Sequence, residues 1–183
     1  MKPQAAYNVR GLTLLELLMA MVIFAGIAVG MMICFSRAAT SDIVSKENVK
    51  AHVAAVRVMD AVRTYALTSF STTYAYYNSN PADDPNGSGT APGSAVTLSA
   101  QDSPGGTATV TIQFPETSGH LREDVTSTDW AMPRDLNGDD AVGSAAVDGS
   151  YKLLPVKVTV TWQGARGQRT YSLVTIITAK RLS

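Results

Sequence analysis

The chain has 183 residues, room for one domain beside an anchor. Fifteen Lys and Arg balance fifteen Asp and Glu, so bulk charge gives no direct argument for nucleic acid or for an acidic substrate. Cys34 is the single cysteine, which excludes an intramolecular disulfide and leaves core packing, oligomerisation or a metal to stabilise an extracytoplasmic domain.

The N-terminal arm carries Lys2 and Arg10 and no acid, and it leads into Arg10-Gly-Leu-Thr-Leu-Leu-Glu16. The nineteen residues from Leu17 to Phe35 then carry no charge. At about 1.5 Å per residue they make roughly 28 Å of helix, close to the hydrocarbon thickness of a bilayer. A secretory signal peptide has a shorter apolar core, and Glu16 interrupts the start of this one. A lipoprotein signal needs small residues before the modified cysteine, but Met32 and Ile33 precede Cys34. A plain single-pass anchor accounts for the length and the basic flank and gives no reason for Glu16. The basic arm places the N-terminus in the cytoplasm and the C-terminal part outside it, with Arg37 weakening the asymmetry without reversing it.

The block from Arg10 to Glu16, followed by the apolar run, resembles the class III signal of the type IV pilin (prepilin) family. The resemblance implies cleavage between Gly11 and Leu12 by a prepilin peptidase, N-methylation of Leu12, and Glu16 as the fifth mature residue, where the family keeps its acid. It implies three parts: a leader over 1–11, a hydrophobic transmembrane and assembly half-helix over 12–36, and an extracytoplasmic head over 37–183. Cleavage would leave thirteen basic against fifteen acidic residues. In family filaments the glutamate is thought to meet the N-terminal amine of a neighbouring subunit. That pairing is physically sound, because an uncompensated charge among apolar helices costs several kcal/mol. The partners implied are other pilin or pseudopilin subunits, the prepilin peptidase/methylase, the inner-membrane assembly platform and the inner membrane itself.

Within the span, Gly26 and Gly30 are four apart, with Ala20, Ala25 and Ala28 nearby. Small residues at that spacing let helices approach closely in lipid, although glycine is also common in membrane helices generally. Ile33 stands where many family members carry a helix-bending proline.

Beyond Phe35 the helical pattern turns amphipathic. Val49, Val53, Val56, Met59, Val62 and Ala66 follow at steps of three or four, with Lys46, Glu47, Lys50, Arg57 and Arg63 largely outside that stripe. No proline or glycine occurs between Met31 and Phe70, so one helix from about Thr13 to about Phe70 is expected. Such a helix would measure on the order of 85 Å. His52 lies beside the stripe without catalytic company, and Tyr74, Tyr76 and Tyr77 are expected to cap the core after the helix.

Residues 78–94 are rich in turn formers and read as a surface loop. Strands are expected at Val96–Ala100, over Ala108–Phe114, and as a C-terminal hairpin of Val156–Trp162 and Thr170–Ala179 around a turn spanning Gln163–Arg169. The fold class is therefore α+β, a long N-terminal helix packed on a roughly four-stranded antiparallel sheet. The hairpin resembles, loosely, that of minor pilins and pseudopilins, which implies a minor subunit of a pilus or secretion-system filament. The family serves adhesion, motility, DNA uptake or protein secretion.

Asp135, Asn137 and Asp139 place oxygen side chains at alternate positions, as in the first half of a calcium loop. Gly138 stands one place early, and Ala146 takes the place of a bidentate Glu. The alternatives are a tentative Ca2+ site, completed by Asp148 or backbone carbonyls, and an Asn-Gly turn with solvated acids. Some pseudopilins use calcium in the equivalent region. Glu123 and Asp124 read as a solvated surface pair. No nucleophile–base constellation, P-loop, dinucleotide fingerprint or HExxH motif occurs, so no catalytic residue is assigned and an enzyme is not expected. The competing functional class is a membrane-tethered calcium- or ligand-binding module that does not polymerise.

Overall fold

The computed structural model describes residues 13–78, 80, 85, 95–99 and 101–179. The expected cleavage pair Gly11 and Leu12, and most of the 78–94 loop, lie outside the described residues. The chain divides into two compact units, one ending at Asp42 and one covering Ile43–Ser183.

Helix α1 (Leu14–Ser69) begins at Thr13, whose Oγ1 accepts the Glu16 N–H at 3.3 Å, while its carbonyl accepts the Leu17 N–H at 3.1 Å. Thr13-Leu-Leu-Glu16 is therefore the Thr-x-x-Glu pattern of a capping box, with the acid in the positive first turn. From Leu14 to Phe35 every side chain is exposed in the isolated chain. This is a helix long and apolar enough to cross a membrane near the N-terminus.

The helix breaks at Ser69, whose backbone leaves the helical region (φ −142°, ψ 54°), and a short 3-10 turn leads to α2 (Thr73–Tyr77). Tyr151 bridges this break. Its hydroxyl donates to the Phe70 carbonyl at 2.5 Å and accepts the Tyr74 N–H at 3.0 Å. Tyr74 and Tyr77 are buried in the core and Tyr76 is half-buried, stacked on Tyr65, so the cluster does cap the core.

The main sheet has strand order β1-β2-β5-β6, entirely antiparallel, formed by β1 (Ala95–Thr97), β2 (Ala108–Gln113), β5 (Leu153–Gly164) and β6 (Gly167–Thr178). A second small hairpin pairs β3 (Glu116–Thr117) with β4 (His120–Leu121), an element too short to carry a periodic signal. Strand β1 is shorter than the expected Val96–Ala100. The β5–β6 turn is tighter than expected: only Ala165 and Arg166 separate the paired Gly164 and Gly167. On the inner face Val110, Ile112, Leu154, Val156, Val158, Val160 and Trp162 pack with α1 and α2 residues in one core. On the outer face Thr97, Thr109, Thr161 and Thr170 are aligned across all four strands.

The expected apolar stripe of α1 stands at Met59, Val62 and Ala66 and is corrected at Val49, Val53 and Val56. Val49 and Val53 are exposed and Val56 is half-buried, while Glu47, Ala51, Ala54, Ala55, Val58, Met59, Val62 and Ala66 face the sheet. Ala51, Ala54 and Ala55 dock at the start of this face and Val58, Met59 and Val62 follow, so the docking face turns away from Val49 and Val53. Glu47, expected outside the apolar face, lies at its start. Its Oε2 accepts the Trp162 Nε1–H at 3.4 Å and its Oε1 accepts the Ala165 N–H at 3.2 Å.

Candidate functional site

In the N-terminal unit the sequence-predicted residues share one exposed helix. Glu16 sits in the first turn, and its backbone N–H is satisfied by Thr13. Gly26 and Gly30 lie further along, and a methyl group built on either would meet no atom within 4 Å. Nothing within the described chain therefore requires glycine at these two positions. Their close-approach surface is available to another helix.

In the head, the acidic loop is built by residues that sequence reasoning only half identified. Asp135 Oδ1 accepts the Gly138 N–H at 2.5 Å and its Oδ2 accepts the Asp140 N–H at 2.8 Å. Asn137 Oδ1 accepts the Asp139 N–H, and Asp139 Oδ1 accepts the Ala141 N–H, each at 2.9 Å. Gly138 takes the left-handed conformation (φ +74°) that closes the turn, as the Asn-Gly reading requires. Partial desolvation raises the Asp135 pKa, but the surrounding backbone N–H donors, Gly138 and Asp140 foremost, outweigh it and hold the carboxyl below its ordinary value.

Glu123 is the residue that sequence reasoning misplaced. It is no solvated surface acid: it is 2% exposed, and its carboxylate reaches under the loop. Oε1 accepts the N–H groups of Leu136 (2.8 Å) and Asn137 (3.0 Å), and Oε2 accepts that of Gly143 (3.0 Å). The adjacent Asp124 is exposed and holds Arg122 through two hydrogen bonds, of 2.9 and 2.6 Å. No local signal separates the two acids, because the donors that draw Glu123 inward lie 13 to 20 residues further along the chain.

Carboxylate oxygens of Glu123, Asp135 and Asp139 come within 4.8 Å of one another. Such a set suits a hard divalent cation chemically. Backbone N–H groups donate to all three carboxylates, so the loop is also held in shape by acid–amide bonds of its own. Asp148, considered as a further ligand, is engaged elsewhere, accepting the Leu121 N–H at 2.6 Å and pairing with His120 at 2.7 Å. His52, exposed, shares a 2.8 Å hydrogen bond with the Tyr171 hydroxyl.

Comparison with protein-family models, with curated proteins and with solved structures returned no match to this chain.

Proposed function

We propose that the protein is a structural subunit of a type IV pilus or a related type II secretion-like filament, most closely a minor pilin, processed by prepilin peptidase and assembled through its N-terminal helix. The observation that carries this reading is Glu16, a single carboxylate at the start of a helix whose side chains are all exposed from Leu14 to Phe35. An apolar helix with a charge at its end needs either lipid or other helices around it, and the acid needs a cationic partner there. Cleavage after Gly11 creates that cation, the Leu12 amine, on every copy. Gly26 and Gly30 supply close-approach positions for neighbouring helices. The α+β head agrees with the reading without being specific to it.

On this reading the precursor spans the inner membrane once, N-terminus inside, and the mature subunit passes to a periplasmic or extracellular filament. It acts with other pilin or pseudopilin subunits, the peptidase/methylase and the assembly platform. It does no bond chemistry of its own. Filaments of this class serve adhesion, motility, DNA uptake and protein secretion.

The test is the intact mass of the protein recovered from cells. Loss of residues 1–11 with gain of one methyl group supports the proposal; a retained leader overturns it. Glu16→Ala should leave processing intact and reduce incorporation into sheared filaments.

A second reading, a non-polymerising tethered module binding Ca2+, draws on the convergence of Glu123, Asp135 and Asp139. It predicts an unprocessed chain whose head melts at higher temperature in calcium than in excess chelator. Identical melting curves remove it.

A further inference from the structure

Asn137 is followed by Gly138, and the loop holds a partner against each atom that the chemistry of this dipeptide uses. The side-chain carbonyl carbon of an asparagine is open to attack by the backbone nitrogen of the next residue, which closes a five-membered imide. Glycine permits this best, because it has no Cβ beside the attacking nitrogen. The reaction has three demands: the backbone nitrogen must lose its proton, the carbonyl oxygen must take up charge, and the side-chain nitrogen must leave.

Each demand meets a group already in place. The Gly138 N–H, which carries the proton to be lost, donates to Asp135 Oδ1 at 2.5 Å. Asn137 Oδ1, where the charge develops, accepts the Asp139 N–H at 2.9 Å. Asn137 Nδ2, the leaving atom, donates to Asp139 Oδ2 at 3.0 Å, so the side-chain amide is held at both ends. Lys152 Nζ donates to the Gly138 carbonyl at 3.3 Å and sets a cation beside a loop otherwise crowded with acids. Asn137 is half-buried and Gly138 is exposed, so water can enter and a small leaving group can escape.

We propose that Asn137–Gly138 is a self-modifying site, with Asp135 as general base, the Asp139 N–H as oxyanion donor and the Asp139 carboxylate holding the leaving nitrogen. Gly138 N passes its proton to Asp135 and bonds to Asn137 Cγ. The Cγ–Nδ2 bond breaks, and the nitrogen departs as ammonia with the proton returned by Asp135. Water then opens the imide at either carbonyl, leaving aspartate or isoaspartate at position 137. One water is consumed, one ammonia is released, and nothing is oxidised or reduced. The product replaces the bond from Asn137 Nδ2 to Asp139 with two facing carboxylates and adds a fourth acid to Glu123, Asp135 and Asp139. The modified loop is therefore more negative and less tightly held. The inference concerns the head alone and stands whether or not the chain polymerises.

The test follows deamidation of the full chain in detergent micelles at neutral pH. Peptide mapping by mass spectrometry assigns the site, because Asn86 is also followed by glycine. Asn137 should convert at least about tenfold faster in the folded chain than in the same chain held in denaturant. Asp135→Asn should remove most of that acceleration and Asp135→Glu should restore part of it. Slow amide exchange at Gly143, which Glu123 holds independently, reports whether a variant keeps its loop. Equal or slower conversion in the folded chain overturns the proposal, since the same bonds would then protect the asparagine. An unchanged rate in Asp135→Asn with its loop intact overturns it as well. The comparison of folded with denatured chain decides by itself where a variant loses the loop.

Discussion

Glu47 and Trp162, 115 positions apart, meet where α1 crosses the C-terminal hairpin, and the indole N–H donates to the carboxylate at 3.4 Å in a buried setting. The other carboxylate oxygen holds the Ala165 N–H, so one acid secures both a core tryptophan and the β-turn beyond it. Glu47→Ala leaves both donors without their partner and should cost about 1–3 kcal/mol, read from denaturant midpoints at constant m. Glu47→Gln, which keeps an acceptor, should cost less.

Gly164 is glycine because of that same carboxylate. A Cβ at this position would lie 2.5 Å from Glu47 Oε2 and 3.1 Å from Trp162 Nε1. Gly164→Ala should therefore destabilise the head, and the loss should shrink in a Glu47→Ala background. Additive costs in the double-mutant cycle would show that the two positions do not share one space.

Glu123→Ala leaves the N–H groups of Leu136, Asn137 and Gly143 without an acceptor. A loss of about 2–5 kcal/mol is expected, with fast amide exchange at those three residues. Asp124→Ala, one position along, removes only an exposed pair with Arg122 and should stay within about 0.5 kcal/mol of the parent.

Asp135 is held below its ordinary carboxyl pKa. A depressed folded-state value means that the stabilisation is complete above the unfolded-state value and is lost as pH falls through the folded one. Asp102 shifts in the same direction through Ser99 and then Arg57. Melting temperature should therefore fall on acidification from about pH 5 to about pH 2. Asp135→Asn should start lower and show a shallower slope; parallel curves would contradict the assignment.

The Tyr151 phenol is pushed up to about 12 by burial, against hydrogen bonds from the Tyr74 and Thr73 backbone. The sign is opposite to that of the acids: its stabilisation is complete below the ordinary phenol value and disappears as pH rises through the folded value. Ultraviolet titration should show one late-ionising tyrosine missing from Tyr151→Phe. That variant should also lose about 1–2 kcal/mol, because the Phe70 carbonyl and Tyr74 N–H are left unjoined at the helix break.

What the chain reveals by itself is whatever rests on local periodicity. The uncharged run from Leu17 to Phe35, the α1 helix and the alternation of Val156, Val158, Val160 and Trp162 depend on neighbours a few positions apart, and each stands in the structure where expected. Thr13 and Glu16 are three apart, so the cap at the helix start is written there too. Tertiary structure decided which face of α1 docks in its first turns, where Ala51, Ala54 and Ala55 are buried and the more hydrophobic Val49 and Val53 are left exposed. It likewise drew Glu47 and Glu123 inside, since the N–H groups that compensate each buried carboxylate come from segments folded in from elsewhere in the chain. Periodicity records which residues can face a core, and the free energy of a buried charge depends on donors that only the fold brings to it.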